Sequence, residues 1–459
     1  MIKMVEKKSL AGKKISVVGA GVSGRALAEL AADFGAKVFV SDIKKLDAAV
    51  TESFQAKGIR WEDNGNTDAV LDADEIIVSS GISPRAPIIK AAYDKGIKVI
   101  GELDFVSPYL SGKVIGVTGS NGKTTTTSML GYYLKEMGRS VMTGGNIGNA
   151  AAHAAGKKYE FIVLELSSFQ LYWAKDFKCD IAIVTNLAPD HIDWHGSYEN
   201  YVASKANIIK CLSYGGAAIF QKRDEEALKI TRDDIVRYPL FWSKADAKVN
   251  GLYLDSDSKT SSVSCGGNVQ RLFSFDDVNL LGLHNLENEA MTLCALAIAG
   301  VTDVPTALIK SFVPPKHRCA FAGKVGGVTF VDDSKGTNVA ASITAMTSLP
   351  NKKVMILGGQ GKGEQYEPLA EVVKQQARAA VVIGTEKEKI AAALSAAGFV
   401  NYVFASGMDE AVRTAYSMAA EGDTVLLSPA CTSWDMYPSY KVRGEHFCSI
   451  VKELAASEA

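Results

Sequence analysis

Apolar runs of four to six residues recur along the chain, separated by longer stretches whose apolar positions fall three and four apart. KISVVGA, KVFVSD, EIIVSSG, KVIGVTG, FIVLELS, IAIVTN, GVTFVDD, KVMILGG, AVVIG and TVLLSPA lack polar alternation, so they read as strands buried on both faces. RALAELAADFG and TTTSMLGYYLKEMG read as helices between them. This alternation predicts an α/β protein of mostly parallel sheets with flanking helices.

At 459 residues the chain exceeds what one core supports, and the pattern divides into three blocks. They are residues 1–108, 109–312 and 313–459, with Pro314-Pro315 at the second break. The polar stretch at 250–275, with DSDSKTSS, predicts hairpins or an exposed loop on the middle block. Composition adds exclusions. Fifty basic and 51 acidic residues leave a net charge of -1, with no surplus to attract nucleic acid or an anionic membrane. No apolar run reaches bilayer length, and MIKMVEKKSLAGKK has no apolar core to act as a secretory signal. Seven scattered cysteines without a CxxC fit a reducing cytoplasm and argue against a zinc knuckle.

Two glycine loops carry the candidate chemistry. In KKISVVGAGVSGRALAELAADFGAKVFVSD a strand, G-x-G-x-x-G, a helix and a second strand follow in order. Gly19 permits the tight turn, Gly21 admits a phosphate, and Gly24 lets the helix pack on the strand. Asp42 ends the next strand, where an acid can bind a ribose hydroxyl. The commonest ligand of this pattern is NAD or FAD, and the plain alternative is a turn that binds nothing. The second loop, VIGVTGSNGKTTTT at 114–127, is a P-loop variant with Val117 in place of the usual first glycine. Its backbone N–H groups from Gly119 to Thr125, including Ser120, Asn121 and Gly122, can wrap phosphate oxygens. Lys123 would neutralise the β/γ charge, and the Thr124 hydroxyl can hold Mg²⁺. Met129, Leu130, Tyr133, Leu134 and Met137 share one face of the helix that follows.

TGSNGKTTT resembles the signature of the Mur ligases, the ATP-dependent amino-acid ligases of peptidoglycan precursor assembly. The resemblance continues through NIG at 146–148, ELSSFQ at 165–170, TNLAPDHIDWH at 185–195 and YVASK at 201–205. It extends to HNLEN at 284–288, HR at 317–318, DSKGTN at 333–338 and GGQGK at 358–362. Within the family, ELSSFQL and SPACTSWDMYPSYKVRGEHF at 428–447 look like the D-glutamate-adding member.

The resemblance implies three α/β domains: Rossmann-like for UDP, P-loop for ATP, and Rossmann-like for the amino acid. It implies ATP, Mg²⁺ at two sites, UDP-N-acetylmuramoyl-L-alanine and D-glutamate as ligands of a cytoplasmic monomer. Carboxylate phosphorylation and attack by the amine are the implied steps, with Lys123, Glu165, His191, Lys205 and Lys335 as the catalytic group. Thr124, Glu165, His191 and a CO₂-derived carbamate on Lys205 are the implied metal ligands, although Lys205 alone reads as a solvated helix lysine. Asn285, Asn288, Arg318 and Asp333 fall to ATP. Val22, Ser23, Asp42, Ile43, Lys44, Gly81 and Asn146 fall to the UDP substrate. Thr337, Lys362, Ser433 and Tyr440 fall to D-glutamate. Four departures stand out: Tyr440 where Phe is frequent, DDSKGTN for NDSKATN, Cys319 after HR, and Ser80 in SSGIS. His191 and His195 make an HxxxH spacing, but Pro189 and the missing glutamate argue against a zinc helix.

Three other readings stand beside this one. A folylpolyglutamate synthetase would lack the first glycine block, and a ligase for diaminopimelate or lysine would carry a DNPR-type loop. A nicotinamide-dependent dehydrogenase leaves TGSNGKTTT unexplained. A nucleotide-gated binding module has no need of Lys123, Glu165, His191 and Lys205 together.

Overall fold

The computed structural model of the chain describes residues 9–280 and 282–458. MIKMVEKK, the start of the segment read above as no secretory signal, lies outside the described residues. β1 (Lys14–Val18), β2 (Lys37–Ser41), β3 (Arg60–Glu62), β4 (Glu75–Val78) and β5 (Lys98–Gly101) form a parallel sheet in the order β3-β2-β1-β4-β5. The second sheet takes β6 (Ser111–Thr118), β7 (Val141–Gly145), β8 (Lys158–Glu165), β9 (Cys179–Val184), β10 (Leu212–Gln221) and β11 (Val236–Phe241). β12 (Gly251–Asp255), β13 (Thr260–Cys265) and β14 (Asn268–Ser274) extend it as the order β14-β13-β12-β11-β10-β9-β6-β8-β7. These last three strands pair antiparallel and account for the polar 250–275 stretch. The third sheet holds β15 (Ala320–Val325), β16 (Val328–Asp332), β17 (Lys353–Gly358), β18 (Ala377–Ile383), β19 (Tyr402–Phe404) and β20 (Thr424–Leu427). Its order is β15-β16-β20-β17-β18-β19, parallel except at the β15–β16 hairpin.

Each of the ten apolar runs contains a strand, and β5, β7, β10 and β11 join them as further parallel members. Chain order reverses beside β1 in the first sheet, at β6 in the second and at β16–β20–β17 in the third. Loops leaving the carboxyl ends of strands at such reversals form crevices. The two glycine loops leave there, after β1 and β6.

The sheets are joined unequally. One apolar cluster runs from Val17, Val40 and Phe54 of the first sheet region to Ile162, Leu164 and Phe177 of the second. On the opposite face of the first sheet, Trp173 enters the cluster of Val18, Ile76 and Val99. Gly101 is required there: a Cβ at this position would lie 2.4 Å from the Trp173 Cβ. The Asp104 carboxylate fixes the same seam by accepting the backbone N–H groups of Lys175, Asp176 and Phe177. The third sheet keeps two clusters of its own, built from residues between Cys319 and Leu454. Polar groups join it to the second sheet, among them Asn338 to Asp190 (3.1 Å) and Ser348 to His284 (3.1 Å).

Phe177 is fully buried in the shared cluster, so Phe177→Ala should cost about 3–5 kcal/mol. In urea unfolding, the loss is expected in a transition common to the first two sheets, with the third sheet's transition unmoved.

Candidate active site

The second glycine loop is tied down before any ligand arrives. β6 delivers Gly119 at φ +138°, where a Cβ would lie 2.0 Å from the Thr185 hydroxyl. Gly122 has φ +84° and its Cβ position meets the Asn288 carbonyl oxygen at 2.5 Å. The Ser120 hydroxyl donates to the Ala188 carbonyl and accepts the Ala188 N–H, both at 2.8 Å, with the Tyr201 hydroxyl at 2.9 Å. The Asn186 side chain accepts the Asn121 N–H at 2.9 Å. The loop is therefore braced from the segment that follows β9.

Two lysines converge on it. Lys123, the first residue of the Lys123–Glu136 helix, donates to the carbonyls of Gly119 (2.8 Å) and Ser120 (2.9 Å). Lys205 comes from the Tyr198–Lys210 helix, capped by Ser197, and donates to the same Gly119 carbonyl at 2.7 Å. Its nitrogen lies 4.7 Å from the Tyr201 ring centre. Lys205 is 2% exposed, which replaces the picture of a solvated helix lysine. Burial, and then repulsion from Lys123, drives the Lys205 ammonium well below its ordinary value. Burial also lowers Lys123.

Glu165 ends β8 against this loop. One carboxylate oxygen accepts from the Asn146 amide at 3.0 Å, and the other is buried with no partner among the described residues. The site thus places Asn146 beside Glu165 in the central cavity. His191 stands at φ +53°, an uncommon conformation for a side-chain-bearing residue. Burial holds its imidazole neutral, with a pKa lowered to about 3. His195 turns elsewhere: its ring nitrogens meet Ser168 at 3.0 Å and Ser204 at 3.3 Å, which is no zinc arrangement.

Glu165, His191, Thr124 and Lys205 line one cavity of about 330 Å³, with Ser120, Asn121 and Gly122 at its floor. Among the described residues no three His, Cys, Asp or Glu side chains group as a metal site. The orphaned Glu165 oxygen, the neutral His191 and the Thr124 hydroxyl nevertheless fit a Mg²⁺ ion, a hard cation that prefers oxygen ligands.

The third sheet closes the cavity. The loop after β16 brings Lys335 and Thr337, the loop after β17 brings Lys362, and the loop after β20 brings Ser433. Tyr440 opens the Tyr440–Glu458 helix, and its ring lies 4.4 Å from the Lys335 nitrogen. Burial, followed by Arg318 and Lys123, lowers Lys335 to about 7. The Ser433 hydroxyl is buried without a partner among the described residues. Lys362 pairs with Asp190, a residue to which the sequence assigned no role. Burial opposes charge on Asp190, but Lys362 outweighs it and keeps the carboxyl below its usual range.

A second cavity of about 430 Å³ adjoins the first through Asn121, Gly122, Arg318 and Lys335. Thr125, Asn285, Asn288 and Asp333 also line it, so the expected nucleotide contacts gather on one side of the loop. Asp333 accepts from the Ser428 hydroxyl at 2.6 Å, and burial raises it to about 7. Both volumes lie in the range of small-molecule sites.

The first glycine loop forms a separate place. Gly24 lies so close to the Gly19 carbonyl that a Cβ would sit 1.8 Å from it. Asp42 accepts the backbone N–H groups of Ala20 (2.6 Å) and Lys44 (2.8 Å), which braces the loop. Val22 and Ile43 are 68% and 66% exposed beside it, an open apolar rim. Ser23 lies by the buried Glu102, whose carboxyl accepts the Gln170 amide at 2.6 Å. Gly81 lies in the loop after β4, alongside this group.

Some functional candidates escaped sequence reasoning. Asp190, Tyr201, Asn338 and Trp434 all face the first cavity. All four lie inside the motifs quoted above, which was the available signal, but no role was assigned to them.

Comparisons with known proteins agree with this geometry. A MurD N-terminal domain matches residues 14–88, a Mur ligase middle domain 117–298, and a Mur ligase glutamate ligase domain 317–431. A protein of Thermoanaerobacter pseudethanolicus named UDP-N-acetylmuramoylalanine--D-glutamate ligase is 34% identical over 97% of this chain and 99% of its own. A protein of the same name from Bacteroides fragilis is 35% identical, covering 96% of this chain and 100% of its own. Among solved structures, a pseudomurein peptide ligase type C from Methanothermus fervidus shares the fold at a TM-score of 0.59 and 18% identity. It covers 96% of this chain and 100% of that one. A MurF ligase from Thermotoga maritima, solved with ADP, has a TM-score of 0.56 at 19% identity, covering 92% and 96% of the two chains. With three domain matches in order and full-length relatives above 30% identity, the chain belongs to the Mur ligase family.

Proposed function

We propose that the protein joins D-glutamate to UDP-N-acetylmuramoyl-L-alanine, using ATP and passing through an acyl phosphate. The observation that carries this reading is the single cavity in which the P-loop, Glu165, His191 and Lys205 face Lys335, Lys362 and Ser433. The names of the full-length relatives support the choice of amino acid.

Phosphoryl transfer requires positioning and charge neutralisation more than a nucleophile from the protein. Lys123 and the loop amides would hold the triphosphate. Arg318 and Lys335 face it from the third sheet, where their charge opposes charge building on the transferred group. The amide-forming step needs the amino acid's nitrogen at the acyl carbon. Lys362, Thr337 and Ser433 would hold its carboxylates, with Tyr440 beside Lys335. Mg²⁺, held by Thr124, Glu165, His191 and a carbamate on Lys205, would neutralise phosphate charge. The carbamate would convert a buried amine into a second anionic oxygen ligand beside the Glu165 carboxylate. Two metal positions suit such a set.

Val22, Ser23, Asp42, Ile43, Lys44 and Gly81 would take the UDP end of the substrate on the first sheet. We set the domain limits at 1–108, 109–312 and 313–459, a division that the three separate sheets support. Among the described residues no helix is long and apolar enough to cross a membrane. We place the enzyme in the cytoplasm as a monomer, in step with a substrate built on a free nucleotide.

Phosphate release from ATP with UDP-N-acetylmuramoyl-L-alanine tests the reaction. Release is expected with D-glutamate, and the ligated product should appear by mass. Release with L-lysine, diaminopimelate or D-alanyl-D-alanine instead would move the assignment to another ligase.

Lys335 supplies a pH test. Its pKa of about 7 in the folded chain lies below an unfolded value of about 10.4. Above about pH 7 the ligand-free protein lacks a proton that a bound triphosphate favours. Metal-free ATP binding should therefore take up a proton and weaken as pH rises above about 7. Calorimetry in buffers of different ionisation heat reads the uptake, and Lys335→Met should reduce it.

Carbamylation has its own readout. With ¹³C-bicarbonate, a carbamate carbon signal is expected in the native protein and absent in Lys205→Arg. An unchanged spectrum would leave Lys205 a plain amine.

A further inference from the structure

Asp190 and Lys362 form an ion pair across the seam between the second and third sheets, and both face the first cavity. Both are buried, at 6% and 8% exposure. The Asp190 carboxylate does not depend on Lys362 for its position. It accepts its neighbour's backbone N–H, from His191, at 2.9 Å and the Asn338 amide at 3.1 Å. Ser433, across the same cavity, carries a buried hydroxyl with no partner among the described residues.

We propose that this ion pair is the receptor for the charged head of the incoming amino acid: Asp190 takes the ammonium and Lys362 takes the α-carboxylate. The inference rests on the amide-ligase reading and adds to it a residue that binds the nucleophile. Removing one partner of a buried pair strands the other charge and is strongly unfavourable. An α-amino acid avoids that penalty. Its ammonium and carboxylate lie on one carbon and form an ion pair of the opposite sense. Inserted between Asp190 and Lys362, it gives each side chain a new counter-charge as the old one is lost. The two hydrogen bonds from His191 and Asn338 keep Asp190 in place during this exchange. Ser433 then remains for the second carboxylate of a glutamate. A dicarboxylate lacking the amine would leave Asp190 facing a negative charge. Asp190 therefore selects for an amine, and holds the nitrogen on the cavity wall next to His191.

Glutarate, which is glutamate without its amine, provides the probe. Affinities for D-glutamate and glutarate are compared in the wild type, Asp190→Asn and Asp190→Glu, with ATP and the UDP substrate saturating. Asp190→Asn should raise the KM for D-glutamate by about tenfold or more, with glutarate inhibition equal or stronger. The preference for D-glutamate over glutarate then collapses, and Asp190→Glu, which keeps the charge, restores much of it. Lys362→Met should weaken glutarate at least as much as D-glutamate, so the preference for the amine is kept or rises. A wild-type ratio retained in Asp190→Asn overturns the proposal. Thermal unfolding and binding of the UDP substrate establish that each variant is folded. If the wild type releases no phosphate with D-glutamate, the ligase reading has failed. Calorimetric titration of the same two compounds into the same variants then still reads the ratio on which this inference depends.

Discussion

Two buried lysines share one acceptor, the carbonyl oxygen of Gly119, and much of the molecule is arranged around that meeting. A single carbonyl cannot neutralise two ammonium groups. Burial lowers both, and repulsion from Lys123 lowers Lys205 further. The site is therefore a place where negative charge is missing. A triphosphate supplies it on the Lys123 side, and a carbamate would supply it on the Lys205 side. The bracing of the loop by Thr185, Asn186 and Ala188 keeps this unfavourable arrangement from relaxing.

The elements around the loop are joined to it in different ways. The first two sheets share an apolar cluster, and Trp173 and Asp104 fasten them on two further lines. The substrate's two ends would be held at these sheets, so their spacing has to be constant. The third sheet brings cations and hydroxyls and meets the others through polar contacts. Those contacts can be exchanged for ligand contacts without exposing apolar surface.

Much of this was legible in the sequence. Ten apolar runs located strands because parallel strands bury both faces and leave no alternation to misread. The two glycine loops were legible because positive φ and close backbone approach leave glycine as the residue that fits, as at Gly119 and Gly122. β12 to β14 were foreseen only as polar hairpins, since strands with a solvated face carry weaker signals. Burial of Lys205 was not legible, because a helix lysine has the same letter in water and in a core. The resemblance pointed to it where periodicity did not. The role of Asp190 depends on Lys362, far along the chain and on another sheet, and no local pattern encodes such a pair.

The polar seam of the third sheet has a thermal consequence. Heat-capacity changes follow the apolar area that enters or leaves water. A seam of ion pairs and amide hydrogen bonds separates with little such change, whereas the union of the first two sheets carries a large one. The strength of that union curves with temperature, and that of the seam stays nearly flat. Cooling should therefore loosen the paired sheets before it loosens the grip of the third.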